Sequence, residues 1–370
     1  MNIVWFVADC LRLDYSWRMH YLQRWARENA VTYANHYAHA HCSDPNYMTM
    51  WTGMPPSEHG ILTQMDPDII APDYRGLQHA LKRGGYRTLL MGPTKPNIYR
   101  RAFDVLVPVG RKDTTAKEMT AIKQFMDESK AEGKPSYVFI RTMDCHAPYW
   151  GGAYRRATRY TDDLLEGLFP WIERNHPDTA IFCFSDHGES LGEHGMKGHF
   201  STLYDVLVHV PMYVKIPGIP AREETAYTRH TDLFTTCHNL AGLPVPDYAH
   251  GQDMREPKPI PMPMYFEGNG AWRESYWSWR GVRDEKYKYM VSAHIKDGAK
   301  FYLYDVAADP KENRNLALRR GHEDLLRHYG QLVSSRYANW PSIDRSTWDA
   351  TYTEAEAELV LARLRQLGYA

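Results

Sequence analysis

AIFCFSDHGESLGEHG, residues 180–195, is the stretch that decides the fold. AIFCF is apolar without alternation, the pattern of a short strand buried on both faces. Asp186 and His187 follow almost at once, and glycines at 188, 192 and 195 mark an irregular loop. In open parallel sheets, ligands bind just beyond the carboxyl ends of the strands. A lone Asp after a strand is usually a turn or helix cap, so this pair needs company to mean chemistry.

Working outward, the company is there. IVWFVA (3–8) ends at Asp9, and YVFIRTM (137–143) ends at Asp144, with His146 two residues on. TLLMG (88–92) and PMYVKI (211–216) are further buried-strand runs. Helical patterns at 20–30, 114–132 (capped by Thr114 or Thr115) and 154–173 separate them. The expectation is an α/β fold with a mostly parallel central sheet flanked by helices. Near residue 255 the texture changes. GVRDEKYKYMV and KFYLYDV alternate like antiparallel strands, DPKENRNLA leads into a helix, and TEAEAELVLARLRQLG reads as a helix stopped by Gly368. The chain divides into an α/β catalytic, metal-binding domain over 1–255 and a smaller C-terminal α+β subdomain over 256–370.

Composition narrows the function. The 370 residues are 43% apolar and 24% charged with net charge −1, so neither nucleic acid nor a membrane surface is an expected partner. MNIVWFVADCLR reads as a strand without the basic region or cleavage site of a signal peptide. No apolar run approaches the roughly 18 residues of a membrane helix. The 5 cysteines form no C-x-x-C pair, which suits a reduced, cytoplasmic chain.

Three acids at three strand ends, two with a histidine close by, converge on one crevice. Mixed Asp and His donors suit Zn²⁺ or Mn²⁺, one or two ions, better than Ca²⁺. His199 lies in the same glycine-rich loop, while His194 in LGEHG serves the loop's own hydrogen bonding. HCSDPNYMTMWTG (41–53) adds Ser43 and Cys42 before a Pro and a Thr-Gly.

In this order, VADCLRLD, SDPNYMTMWTGMPPSEHG, SDHGESLGEHG, HVPMYVKIPG, TDLFTTCHNLAGLPVP and LYDVAADPKENRNLA make the chain resemble the sulfatase-like branch of the alkaline phosphatase superfamily. The resemblance implies Ser43 as nucleophile, two residues before Pro45. It implies a first metal site of Asp9, Asp186, His187 and Ser43. Asp144, His146 and His199 would form a second metal site or contact the substrate, with His146 or His199 as proton donor. Lys95, Asn97 and Lys197 are expected substrate contacts, and Arg12 a loop clasp to Asp14.

The departures bear on the reaction. The sulfatase motif C-x-P-S-R, whose Arg supports conversion of the nucleophile to formylglycine, has Asn46 and Tyr47 here. Pro93 replaces a sulfatase Lys, with Lys95 displaced; His199 replaces a second Lys; Cys10 replaces the acid after Asp9. The expectation is a metal-dependent hydrolase of phosphate or phosphonate esters acting on a small molecule through a phosphoserine. A sulfatase with formylglycine at 43, or a phosphoryl transferase, are the alternatives. Cys10, Cys42 and Cys145 read as apolar fillers, with a softer, zinc-selective site if Cys10 reaches the metal. The aromatics of GNGAWRESYWSWR (268–280) read as packing between subdomain and sheet.

Overall fold

The computed structural model describes residues 1–64, 76–93, 102–109, 116–199, 202–259, 263–269, 277–294 and 298–337. The described strands of the first part of the chain are β1 (Asn2–Ala8), β2 (Val31–Tyr37), β3 (Arg87–Gly92), β4 (Val105–Pro108), β5 (Ser136–Thr142) and β6 (Thr179–Phe184). A two-rung ladder of β7 (Ser190–Leu191) and β8 (Lys197–Gly198) follows, then β9 (Met212–Lys215) and β10 (Arg222–Arg229). Eight of these make one sheet in the order β10-β2-β9-β6-β1-β5-β3-β4. Only β9 runs antiparallel to its neighbours.

β1 lies inside this sheet between β5 and β6, parallel to both. Its period of two sends Val4 and Phe6 to one face and Ile3, Trp5 and Val7 to the other. The first face is covered by helices His20–Asn29, Ala116–Ala131 and Tyr154–Asn175, the second by Ser43–Thr52, Leu77–Arg83 and His230–Leu240. Apolar cover on both sides is why the strand reads as an unbroken hydrophobic run.

The strands and helices expected before residue 255 fall within about two residues of the observed ones, whereas GVRDEKYKYMV (281–291) runs across the turn between two strands and DPKENRNLA (309–317) ends in the short turn Leu316–Leu318, ahead of the helix Glu323–Arg336. β2 and β10 were not expected, and their sequences say why. VTYANHY carries polar residues, and REETAYTR is a charged, largely exposed edge strand. The caps Thr114 and Thr115 and the helix expected over 353–368 lie outside the described residues.

The C-terminal part is an antiparallel sheet of β11 (Met264–Asn269), β12 (Trp277–Arg283), β13 (Tyr287–His294) and β14 (Gly298–Asp305), with helix Glu323–Arg336 packed on it. Tyr37, Leu203, Leu207, Phe266, Trp279 and Met290 form a shared apolar cluster with the main sheet. Trp279 packs there, as the packing reading of 268–280 expected; residues 270–276 lie outside the described residues.

A buried ion cluster closes this seam. Lys288 Nζ donates to Asp205 Oδ1 at 2.6 Å and forms an ion pair with Glu312 Oε1 at 3.0 Å, and Arg283 pairs with Asp205 Oδ2. Burial and the Asp205 charge push the Glu312 carboxyl up to about 7, against the pull of Lys288. Removing one partner of a buried pair strands the others, at about 3–5 kcal/mol. Lys288→Met is therefore expected to lower the unfolding free energy by about that amount in urea titration. Glu312 holds its proton in the folded state to higher pH than in the unfolded chain. Its contribution is complete below its unfolded pKa and is lost as pH rises through about 7. The thermal midpoint should fall over that window, and Glu312→Gln should flatten the fall. An unchanged slope in the variant would refute the assignment.

Candidate active site

Neighbouring strands bring the strand-end acids together. β1 and β6 are adjacent, so Asp9 and Asp186 emerge side by side, both fully buried. Ser185 Oγ ties the two ends, donating to the carbonyls of Ala8 at 2.8 Å and His187 at 2.7 Å in alternation. Asp186 Oδ1 accepts the backbone N–H groups of His187 (3.0 Å) and Cys10 (3.3 Å). Its Oδ2 turns to His187 Nε2, 3.6 Å away. His187 Nδ1 donates to the Gly188 carbonyl at 2.9 Å, so the Nε2 lone pair faces the site. Gly188 is required there, because a Cβ would lie 1.9 Å from the Val206 carbonyl oxygen.

Ser43 is the first residue of its helix, and its Oγ lies 3.2 Å from His187 Nε2 and 3.4 Å from Asp9 Oδ2. Asn46 braces the loop before it. Its Oδ1 accepts from the amides of His39 and Ala40, and its Nδ2 donates to the carbonyls of Ala40 and Cys42. Cys42 is buried beside the helix start.

Arg141, near the end of β5, reaches the same point. Its Nε donates to Asp9 Oδ2 at 2.8 Å, a terminal nitrogen contacts the same oxygen, and that nitrogen donates to Ser43 Oγ at 2.9 Å. Burial alone would push the Asp9 carboxyl up; Arg141, His146 and His187 together hold it far below the carboxylate range. Asp186 is shifted upward by burial and by the Asp9 charge.

Cys10 turns into the site. Its φ of +65° is a left-handed conformation that costs a residue with a Cβ about 1–3 kcal/mol. Its Sγ lies 3.1 Å from Asp9 Oδ1 and 3.5 Å from His199 Nδ1. His199 Nδ1 also meets Glu189 Oε1 at 3.1 Å, and His146 Nδ1 donates to the Ala147 carbonyl at 2.6 Å. Each of these rings thus has its Nδ1 engaged. Burial lowers the pKa of both, far below the usual range for His199, so both imidazoles are neutral near pH 7. Burial, then the Asp9 charge, raises the Glu189 carboxyl well above its usual value.

The donors fit a divalent cation. Asp9, Asp186 and His187 offer ligand atoms within 4.8 Å of one another, as do Asp9, Cys10 and His146, and Cys10, His187 and His199. Among the described residues, Asp186 Oδ2 and Glu189 Oε2 are buried without a hydrogen-bond partner. Buried acids of this kind are held by charge pairing or metal coordination. Glu189 on His199 is a carboxylate–histidine arrangement of the sort that orients metal-binding imidazoles.

The other expected residues are placed differently. Asp144 is buried after β5 but belongs to none of these three groups; its carbonyl accepts the Trp150 amide at 3.0 Å. Lys197 is exposed on the β7–β8 ladder, and Lys95 and Asn97 lie outside the described residues. Arg12 bridges Asp14 (2.9 Å) and Glu193 (2.7 Å) as a clasp between loops. His194 stacks on Tyr204. Cys145 turns to Thr161 Oγ1 at 3.5 Å.

Sequence reasoning missed Arg141, Glu189 and a buried relay in which His36 meets His230 and His230 meets the Asp186 carbonyl. For Arg141 the signal was a charge inside the apolar run YVFIRTM, and for Glu189 an acid directly after DHG. The histidine relay joins residues far apart in the chain and had no local signal.

The family described as Sulfatase matches residues 2–243, and the family described as N-sulphoglucosamine sulphohydrolase, C-terminal, matches 192–336. A Delta 4,5-hexuronate-2-O-sulfatase of Bacteroides thetaiotaomicron is 22% identical, covering 82% of this chain and 80% of its own. Sulfatase ppz1 of Metarhizium majus is 26% identical over 61% of this chain, which spans about half of it (54%). The phosphonate monoester hydrolase of Agrobacterium radiobacter shares the fold with TM-score 0.73 at 18% identity, covering 91% of this chain and 95% of that one. A 2-O GAG sulfatase does so with TM-score 0.75 at 18% identity, covering 93% of each. The chain belongs to the sulfatase family of the alkaline phosphatase superfamily, a family of ester-hydrolysing enzymes that use a divalent metal.

Losing an outer-shell carboxylate typically weakens metal binding about 10–100-fold. Glu189→Gln is therefore expected to weaken Zn²⁺ binding by that factor in equilibrium dialysis. Wild-type affinity in the variant would remove Glu189 from the site.

Proposed function

We propose that the protein is a metal-dependent hydrolase of phosphate or phosphonate esters in which the unmodified Ser43 hydroxyl is the nucleophile. The observation that carries this reading is the pairing of a tightly held Ser43 Oγ with a buried tyrosine at position 47, where the formylglycine pattern has arginine.

Asp9, Asp186, His187 and Ser43 would hold one divalent ion, and Cys10 offers a donor beside it, grouped either with Asp9 and His146 or with His187 and His199. Nitrogen and thiolate donors favour Zn²⁺ over Mn²⁺. When bound, the metal supplies positive charge that lowers the Ser43 pKa and neutralises the ester's oxygens. Ser43 Oγ attacks phosphorus as its proton passes to solvent, the ester oxygen leaves and takes a proton from solvent, and water then breaks the P–O(Ser) bond, returning the serine hydroxyl. His146 and His199, neutral near pH 7, suit metal ligation or taking a proton from that water, not donating one to the leaving alcohol. Asp144, Lys95, Asn97 and Lys197 are left as outer contacts to the substrate. A small-molecule ester acted on in a reducing compartment fits the five buried free thiols, with neither nucleic acid nor membrane as partner. Among the described residues no helix is long and apolar enough to cross a membrane.

A sulfatase with formylglycine at 43 is the second reading, favoured by the family match and by the sulfatases among the relatives. Intact mass separates the two, since oxidation of serine to formylglycine removes two hydrogens. The first reading expects the unmodified mass and turnover of p-nitrophenyl phosphonate or phosphate esters, abolished in Ser43→Ala. Turnover of the sulfate ester alone, with the lighter mass, would establish the second. Independently, the Co²⁺-loaded protein should show a near-ultraviolet thiolate charge-transfer band that Cys10→Ser removes; a band absent from the wild type would take Cys10 out of the ligand set.

A further inference from the structure

Arg141 is a buried cation on the reacting atom of the proposed reaction, and nothing in the sequence motifs assigns it. One terminal nitrogen of its guanidinium touches both Asp9 Oδ2 and Ser43 Oγ. Its carbon sits 4.7 Å from the centre of the Tyr47 ring, a cation–π contact. Tyr47 follows Ser43 by four residues on the same helix, so the two share a face. Gly92 on β3 makes the room: a Cβ there would lie 3.1 Å from Arg141 Cβ. Strand, helix face and glycine together hold the guanidinium against Ser43.

We propose that Arg141 is a catalytic residue that activates Ser43, its planar fork being shared between Asp9 and the serine oxygen. The proposal rests on Ser43 acting as an unmodified nucleophile. A hydrogen bond from a fixed cation aims the serine oxygen and stabilises the negative charge it carries as the P–O(Ser) bond forms and breaks. Because Oγ accepts from Arg141, its own proton is free to point at His187 Nε2 or Asp9 Oδ2. The same oxygen is nucleophile when the P–O(Ser) bond forms and leaving group when water breaks that bond. One donor therefore serves both half-reactions. Tyr47 acts as the platform: an arginine in its place, one helical turn from Ser43, would project into the space that the strand-borne guanidinium fills here.

The test reads Ser43 reactivity directly, whatever the natural ester. The metal-loaded protein is treated with a fluorophosphonate; Ser43 Oγ bonds to phosphorus, fluoride leaves, and the serine proton passes to solvent. Labelling is followed by intact mass. The wild type should label at Ser43, and Ser43→Ala should not. Arg141→Gln should label about 100-fold more slowly. Arg141→Lys keeps the charge but cannot fork, and should be slowed at least tenfold. The double variant Tyr47→Arg/Arg141→Met should recover part of the rate. A folded Arg141→Gln protein that labels at the wild-type rate would overturn the proposal. Should Arg141→Gln not fold, the wild-type rate in Arg141→Lys would do so. Failure of the functional reading looks different: a wild-type protein two hydrogens lighter at residue 43, or normal labelling with no turnover of phosphorus esters.

Discussion

The site depends on the two oxygens of Asp9 being used for different things. One, Oδ2, is held by Arg141 and lies near Ser43; the other, Oδ1, faces Cys10 and His187. A fully buried carboxylate is costly unless paired. Pairing one oxygen with a guanidinium keeps the acid ionised while the second oxygen stays available to a metal. β1 makes this possible, because its neighbours β5 and β6 deliver Arg141 and Asp186 to the two sides of the same residue.

Around that carboxylate the charges do not close by themselves. Asp186 and Glu189 are shifted upward by burial and by their neighbours, and the Cys10 thiol is raised by burial and by the Asp9, Glu189 and Asp186 charges. Neutral histidines complete the ring. A cluster of destabilised anions beside neutral imidazole lone pairs is what a divalent cation relieves. The strained backbone at Cys10 belongs to the same logic, since the residue in that conformation places its thiol against Asp9 and His199. The family relationship gives this arrangement its chemistry, and the departures at positions 10, 46 and 47 give it its individual character. Asn46 has become a loop brace and Tyr47 a seat for a guanidinium carried on another strand.

The buried ion cluster of Asp205, Lys288, Arg283 and Glu312 does structural work of a similar kind away from the chemistry. It ties the segment behind the Asp-His loop to the C-terminal sheet. Gly188 packs directly against Val206, one residue from Asp205, so the loop carrying His187 rests on that seam.

Much of the fold was legible because buried parallel strands leave unbroken apolar runs, and β1, β3, β5 and β6 read correctly for that reason. β2 and β10 did not, since the polar residues of β2 and the charges of the edge strand β10 break that pattern. The sequence by itself determined that acids would stand at the strand ends, that Ser43 would sit in register before Pro45, and that residue 47 would not be arginine. Only the tertiary structure decided that Arg141 reaches Ser43 from β5, that Cys10 turns toward His199 while Cys145 turns away, and that Asp144 stands outside the ligand groups. Strand periodicity and motif register are local and can be read along the chain. Which side chains share one oxygen depends on strand order and on residues more than a hundred positions apart, and no local pattern encodes that.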